Sequence, residues 1–186
     1  DYKPIVQVDF DPMALGRFHA VTVPVLAHVG VAARAIIDSL PETIACRDHR
    51  PDVAERWAIW RDEKASRRAD DRGEGINAAA LFDAMSSCVP ADAIMPVDVG
   101  NNTYSFGRYF EVREQTVLMS GYLGSIGFSL PAAMGAWSAT QAHPGFAGRP
   151  VVSVSGDGGF GQYAMELTTA VKYGMDLTHV LMDNGE

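Results

Sequence analysis

The chain has 186 residues, which is enough for one ordinary domain or for one domain plus part of another. Hydrophobic residues make up 47% and charged residues 20%, which argues against wholesale disorder and allows a sizeable core. The net charge of −8 argues against a nucleic-acid partner, since phosphate backbones are bound by clustered Lys and Arg. Two cysteines are too few for a disulfide framework, so we expect a cytoplasmic protein.

The N-terminal part of the chain is predicted to be the end of an α/β domain. Residues 4–10 and 21–27 have strand patterns, and residues 29–40 form an amphipathic helical pattern. Two strands and one helix bury too little surface to stand alone, so residues 1–45 are interpreted as the C-terminal end of a preceding domain. The charged stretch 46–75 is predicted to be a linker that contains one helix.

A second domain is predicted over residues 76–186. Asn77 can cap a helix that runs from Ala78 to Cys88, and a buried strand is expected over residues 93–97. Residues 98–103 are polar and are predicted to form a loop just past the end of that strand. Another short strand is expected over residues 117–120.

One uncharged stretch could be mistaken for a membrane span. Residues 115–148 contain no Asp, Glu, Lys or Arg. Their many glycines and Pro131 make a poor spanning helix, so we predict a segment buried in the α/β core and no membrane span.

The last part of the chain has a strand, turn, helix and strand pattern. Residues 151–155 and 177–182 are mostly apolar, as expected for buried parallel strands, and a helix is predicted over 160–173. In the right-handed crossover that such a unit forms, both strands point the same way, so Asp157 and Asn184 should lie at one carboxyl edge. The predicted fold is α/β with a doubly wound parallel sheet.

The residues at this edge suit a diphosphate. The glycines Gly156, Gly158 and Gly159 let backbone amides approach an anion at a helix N-terminus. Asp157 and Asn184 offer the oxygen ligands that Mg²⁺ or Ca²⁺ prefers. An aspartate between glycines is also ordinary turn chemistry, so an α/β domain with two acidic turns and no ligand is an alternative.

The Gly156-Asp157-Gly158 turn, followed by Asn184, resembles the metal motif of thiamine-diphosphate enzymes of the pyruvate oxidase and acetolactate synthase group. The resemblance implies the thiamine-diphosphate-binding fold, with Mg²⁺ held by Asp157, Asn184 and the backbone carbonyl of Glu186. One departure is Asp183, since the family usually has two asparagines here and the second is the expected ligand.

A second run strengthens the resemblance. Residues 121–133 are similar to the Gly-x-Met/Ile-Gly-x-x-Leu-Pro-Ala-Ala pattern of the same family. The resemblance implies that Gly124, Ser125 and Ile126 contact the cofactor. The carbonyl of Gly124 would accept a hydrogen bond from the 4′-amino group of the aminopyrimidine, and Ile126 would wedge between the two rings of the cofactor.

The resemblance extends to the loop after the predicted strand 93–97. In the family this loop contacts the diphosphate, which makes Asn101 and Asn102 candidate ligands through an amide or a side chain. Asparagines in a turn also occur there for their backbone geometry alone.

The implied activity is that of a Mg²⁺- and thiamine-diphosphate-dependent enzyme acting on a 2-oxo acid such as pyruvate. Decarboxylation would be followed by oxidation, protonation or carboligation. No catalytic residue is assigned in this chain, because the family's activating glutamate comes from an N-terminal domain of the neighbouring subunit. The chain is therefore interpreted as an internal piece of a longer polypeptide that forms a homodimer or homotetramer. Some members also bind FAD in the central domain, but no FAD-binding residue is identified here.

Two other functions fit parts of the pattern. A Mg²⁺-dependent phosphate-ester hydrolase would use Asp157 and give no role to residues 124–126. A catalytically degenerate regulatory or structural relative would keep the fold, with Asp183 altering the metal site.

Overall fold

The computed structural model describes residues 3–42, 47–70, 73 and 75–184. The chain divides into two compact units, Asp1–Pro51 and Asp52–Glu186.

The first unit is a small parallel α/β arrangement. Strand β1 (Val6–Asp9) pairs with β2 (Val23–Leu26), with Val6 opposite Val23. Helix α1 (Val29–Ser39) follows β2, and the His28 side chain caps it by accepting a hydrogen bond from the Gly30 amide. Ala32 is the buried residue of α1. Most of the helix's apolar surface is thus left open within the described residues, as expected for so few elements.

The second unit contains four strands and six α-helices within the described residues, and the first of these helices begins two residues before Asp52. In chain order they are α2 (Arg50–Arg68), α3 (Ala78–Cys88), β3 (Ile94–Val97), α4 (Asn101–Tyr109), β4 (Thr116–Met119), α5 (Ser129–Ala142), β5 (Val152–Gly156), α6 (Asp157–Tyr163), α7 (Leu167–Lys172) and β6 (Thr178–Met182).

The four strands form one parallel sheet in the order β4-β3-β5-β6. The chain moves outward from β3 to β4, returns to place β5 on the other side of β3, and continues to β6. This is the doubly wound topology, and its switch point lies between β3 and β5. The predicted fold class is therefore confirmed. In such sheets ligands bind in the crevice at the carboxyl ends of the strands that flank the switch point.

Helices cover both faces of the sheet. On one face, Phe82 of α3 and Phe106 of α4 pack with Met95 and with the valines of β3 and β5. On the other face, Ala133 and Ala136 of α5 pack with Ile94 and Val151. Alternate residues of β3 thus enter different hydrophobic clusters, as the period of a strand requires.

Helix α2 is tied to the second unit by an ion-pair network. The Lys64 ammonium is buried, and its Nζ lies 2.8 Å from Asp83 Oδ1 and 3.1 Å from Glu111 Oε1. Arg68 pairs with Asp83, and Arg61 pairs with Glu111. The helix predicted within the linker therefore packs on α3. The predicted limits of that linker, residues 46–75, stay a prediction.

Two sequence predictions differ from the structure. Residues 98–103 were expected to form a loop, but α4 begins at Asn101. The single helix expected over residues 160–173 begins at Asp157 and is interrupted by a 3₁₀ turn at Ala164–Glu166. Both differences bring a helix N-terminus close to a strand end, since α6 follows β5 directly and only three residues separate the end of β3 from the start of α4 at Asn101.

No helix in the described ranges combines the length and apolarity that crossing a membrane would require.

Candidate functional site

Two helix N-termini flank the switch point of the sheet. Helix α4 begins after Gly100, whose φ of 135° is a conformation that favours glycine. Helix α6 begins directly after Gly156, the last residue of β5. The first turns of such helices carry backbone N–H groups without intrahelical acceptors, together with the positive end of the helix dipole. The crevice between β3 and β5 is therefore suited to a negatively charged group.

The predicted metal-binding side chains lie at the carboxyl ends of adjacent strands. In the register of β5 and β6, Gly156 is opposite Met182. Asp157 therefore follows β5 at the same edge at which Asp183 and Asn184 follow β6. Asp157 is half-buried, whereas Asp183 and Asn184 are exposed. The parallel crossover expected from the sequence is thus present.

The third predicted ligand, the carbonyl of Glu186, lies outside the described residues. Within the residues described, no three His, Cys, Asp or Glu side chains group so that they could hold a metal ion. The predicted ligands are of another kind, namely one carboxylate, one side-chain amide and one backbone carbonyl. These are hard oxygen donors of the type that Mg²⁺ prefers.

A buried carboxylate that the sequence analysis did not assign lies at the end of β3. Asp98 is only 1% exposed. Its Oδ1 accepts hydrogen bonds from the backbone amides of Val99 (2.7 Å), Gly127 (2.8 Å) and Phe128 (3.2 Å). Its Oδ2 accepts a hydrogen bond from Ser129 Oγ at 3.2 Å. The carboxylate therefore joins the end of β3 to the start of α5.

Two glycines allow close packing around this carboxylate. A Cβ on Gly159 would lie 2.6 Å from Asp98 Oδ2, closer than real Cβ contacts come. A Cβ on Gly127, which has a φ of 86°, would lie 2.5 Å from the Tyr163 ring. In contrast, a Cβ on Gly158 would meet nothing within 4 Å. Gly159 thus has a packing reason to be glycine, besides the amide role predicted for it, whereas Gly158 lies beside open space.

The loop predicted to face the cofactor rings lies beside the end of β3. Gly124 has a φ of 71°, and a Cβ there would be 3.5 Å from Val99 Cγ1. The Ser125 amide donates to Ser120 Oγ at 3.0 Å. The Ile126 side chain is 48% exposed. An apolar side chain held in the open at a ligand crevice is available for contact with a ligand.

The two candidate asparagines of α4 have different environments. Asn101 is exposed, whereas Asn102 is 5% exposed and its Nδ2 donates to the Asp98 carbonyl at 2.9 Å. The Asn102 Oδ1 lies 3.7 Å from the place where a Cβ on Gly156 would be. Asn102 therefore lies between the ends of β3 and β5, and its role as a ligand stays a prediction.

A partly buried histidine lies next to α6. The His179 ring bonds to Ser153 Oγ through Nδ1 (2.7 Å) and to Ser155 Oγ through Nε2 (2.8 Å), and it stacks on Phe160. Burial lowers the pKa of His179, and the nearby Asp98 charge opposes this only in part. Both ring nitrogens of His179 are thus hydrogen-bonded, and the ring lies between the serines of β5 and Phe160 of α6.

The arrangement as a whole fits a magnesium diphosphate with an organic group attached. Oxygen donors follow β5 and β6, two helices begin near the ends of β3 and β5, and the loop over residues 124–127 lies beside Val99 and Gly159. Asp98 was not among the residues predicted from the sequence, although an aspartate directly after a buried strand lies at the same sheet edge as Asp157 does.

The fold and this crevice place the chain in the class of doubly wound α/β proteins that bind ligands at the carboxyl edge of the sheet. Residues 98–186 match the family model described as thiamine pyrophosphate enzyme, C-terminal TPP binding domain. The chain belongs to the thiamine pyrophosphate enzymes, in the group that includes acetolactate synthases and pyruvate oxidases.

Curated relatives agree with this assignment. The chain is 31% identical to the acetolactate synthase isozyme 2 large subunit of Escherichia coli over 189 residues, which cover 98% of the chain and 31% of the relative. It is 38% identical to the catabolic acetolactate synthase of Raoultella terrigena over 123 residues, or 62% of the chain and 21% of the relative. It is 30% identical to the sulfoacetaldehyde acetyltransferase of Roseovarius nubinhibens over 208 residues, or 99% of the chain and 33% of the relative. The chain thus spans a third or less of each of these relatives.

Proposed function

We propose that this chain supplies the Mg²⁺, diphosphate and ring-facing part of a thiamine-diphosphate enzyme that acts on a 2-oxo acid such as pyruvate. The observation that carries the proposal is the placement of Asp157 and Asn184 just past the adjacent ends of β5 and β6. A single cation can be reached by oxygen donors from both strand ends, and a diphosphate beside it would face the N-terminus of α6.

In this proposal the residues after β5 and β6 bind the tail of the cofactor. Asp157, Asn184 and the Glu186 carbonyl hold Mg²⁺, which neutralises the diphosphate. The backbone amides of the glycines at 156, 158 and 159 donate to its oxygens. The start of α4, with Asn101 and Asn102, faces the same group. Asp183 adds a negative charge beside the cation, and its exposure limits the effect of that charge on binding.

The loop over residues 124–126 binds the other end of the cofactor. The Gly124 carbonyl would accept a hydrogen bond from the aminopyrimidine, and the exposed Ile126 side chain would contact the rings of the cofactor. When bound, thiamine diphosphate supplies a nucleophilic carbon and an electron sink for the loss of CO₂. The chain's own contribution is positioning and neutralisation, which accelerate a reaction by proximity and by electrostatic stabilisation.

The remaining features of the enzyme are also proposals. We place the activating glutamate in an N-terminal domain of a neighbouring subunit, which requires a homo-oligomer. The relatives named as acetolactate synthases support carboligation after decarboxylation, and the one named as an acetyltransferase supports transfer of an acetyl group. Both reactions depend on the bond-cleaving chemistry that the cofactor supplies, such as decarboxylation.

Calorimetric titration of the full-length protein with thiamine diphosphate, with and without Mg²⁺, tests the proposal. We expect binding that depends on Mg²⁺ and that weakens by about 100-fold or more in Asp157→Ala, because even the outer partners of a metal site are worth about 10- to 100-fold. Asp176→Ala is a matched control, since this exposed aspartate precedes β6 at the opposite sheet edge. Equal binding without Mg²⁺, or by Asp157→Ala, would refute the metal assignment. Metal-dependent binding without turnover of any 2-oxo acid would instead favour a regulatory relative.

A further inference from the structure

Asp98 is a buried anion whose charge is met by hydrogen-bond donors. Among the described residues, no Lys or Arg pairs with it, and its four donors are three backbone amides and one hydroxyl. Burial of a carboxylate is costly unless every oxygen is hydrogen-bonded. A carboxylate that is buried with all its oxygens hydrogen-bonded holds its donors in a defined geometry, because movement of a donor would leave a buried charge without a hydrogen bond.

The donors place Asp98 at the start of α5. Phe128 is the N-cap residue of this helix and makes no side-chain capping bond. The Phe128 amide and the Ser129 hydroxyl bond instead to Asp98, which is 30 residues upstream of Phe128 and lies on another element. A negative charge at a helix N-terminus is stabilising there. The start of α5 is therefore fixed to the end of β3.

The loop that faces the crevice depends on this attachment. Ile126 directly precedes Gly127, whose amide donates to Asp98 Oδ1 at 2.8 Å. On its other side, the loop is held by the bond from the Ser125 amide to Ser120 Oγ. The position of residues 124–126 is thus fixed at one end by a single carboxylate.

The same carboxylate also contacts the turn after β5. Gly159, two residues after Asp157, packs so closely that a Cβ would be 2.6 Å from Asp98 Oδ2 and 3.3 Å from the Gly127 amide nitrogen. Asp98 therefore lies where the loop over residues 124–127 meets the first turn of α6. These are the two segments to which the proposed function assigns the ring and the tail of the cofactor.

We propose that Asp98 is a positioning residue that sets the ring-facing loop against the metal-binding turn, so that one cofactor can contact both. Asp98 does this through the amides of Gly127 and Phe128 and through its packing on Gly159, without touching the cofactor. The proposal rests on the proposed function, because it concerns the same site.

Two ligands separate a positioning role from a merely structural one. In the proposed site, thiamine diphosphate contacts both the loop over residues 124–126 and the turn after β5, whereas inorganic pyrophosphate contacts only the turn. In the full-length protein with Mg²⁺, we expect Asp98→Ala to raise the Kd of thiamine diphosphate by about tenfold or more, while the Kd of pyrophosphate changes by less than about threefold. Asp98→Asn keeps an acceptor oxygen in place of Oδ1 and should have an intermediate effect. Asp83→Asn is the control, since Asp83 belongs to the network around Lys64, and it should leave both constants unchanged.

A second measurement reports on the loop without any ligand. Hydrogen exchange at the Gly127 and Phe128 amides should be about tenfold or more faster in Asp98→Ala than in the wild type, and intermediate in Asp98→Asn. If Asp98→Ala does not fold, both measurements are made on Asp98→Asn. The inference is overturned if wild type and variants bind thiamine diphosphate equally, or if both ligands weaken in parallel. A wild type that binds thiamine diphosphate without regard to Mg²⁺ would instead refute the proposed function.

Discussion

Replacing Gly159 with alanine tests the close packing at the centre of the site. The new Cβ would lie 2.6 Å from Asp98 Oδ2 and 3.1 Å from its Cγ, so one of the two groups must shift by several tenths of an ångström. Asp98 cannot move away freely, because its oxygens accept four hydrogen bonds. Overpacking of this kind costs about 1–3 kcal/mol.

The helical position of Gly159 offsets part of this cost. Alanine in place of glycine in a helix stabilises by about 0.5–1 kcal/mol. Taking the middle of each range, the net loss in the free energy of unfolding should be about 1 kcal/mol. With a urea slope of about 2 kcal/mol per molar, the unfolding midpoint should fall by about 0.5 M.

The matched control is the neighbouring residue. Gly158→Ala adds the same methyl group to the same helix, but its Cβ would meet nothing within 4 Å. This variant should therefore keep or slightly raise the urea midpoint of the full-length protein. Adding Asp98→Ala to Gly159→Ala should cost less than Asp98→Ala alone, because the clash is removed. Equal midpoints for Gly159→Ala and Gly158→Ala would refute the packing argument.

Two further predictions concern the ionisable side chains Lys64 and His179. Both are measured by the urea midpoint of the full-length protein. Lys64→Met leaves Asp83 and Glu111 without their shared cation and should cost about 1–3 kcal/mol at pH 7. Hydrogen bonds from Lys64 and Arg68 lower the pKa of Asp83. Burial alone would raise the pKa of Glu111, but hydrogen bonds from Lys64 and from the exposed Arg61 lower it overall. The stability that both carboxylates contribute is present above about pH 4 and is lost as the pH falls through their folded-state pKa values. The difference in urea midpoint between wild type and Lys64→Met should therefore shrink in acid. A difference that stays constant with pH would refute this prediction. Burial lowers the pKa of His179, so its contribution is present above about pH 6.5 and is lost as the pH falls toward the folded-state pKa. The urea midpoint should therefore fall more between pH 7 and pH 5 in the wild type than in His179→Gln. Equal falls in the two proteins would rule out a lowered pKa of His179.

Local signals in the sequence were sufficient for several elements. The capping asparagine at 77 and the apolar spacing that follows it predicted α3 with the observed limits, Ala78–Cys88. The uncharged apolar runs predicted β5 and β6, and the crossover between them then predicted their parallel pairing. These features are set by residues close in sequence, which is why their patterns can be interpreted without the rest of the chain.

Features that depend on distant residues were not predicted. Helix α4 begins with Asn101 and contains Gly107, so its sequence favours a turn, and its packing through Phe106 against Phe82 and Phe110 stabilises the helix. The position of Asp98 just past a strand can be predicted from the sequence, but its long-range hydrogen bonds cannot, because three of its four donors are 29 to 31 residues downstream. The sequence does not indicate which backbone amides will donate to a buried carboxylate. The placement of Asp157 and Asn184 at one sheet edge, in contrast, follows from the predicted crossover.

In the proposed site, Asp157 and Asn184, from successive parallel strands, hold one cation beside the cofactor's diphosphate. A crystal structure of the full-length protein with thiamine diphosphate and Mn²⁺ in place of Mg²⁺ would locate this cation by anomalous scattering. We expect one metal peak about 2.0–2.3 Å from an Asp157 carboxylate oxygen and from the Asn184 side-chain oxygen, in contact with the diphosphate. A diphosphate bound without metal at these two side chains, or a metal bound elsewhere on the sheet, would refute the proposed site.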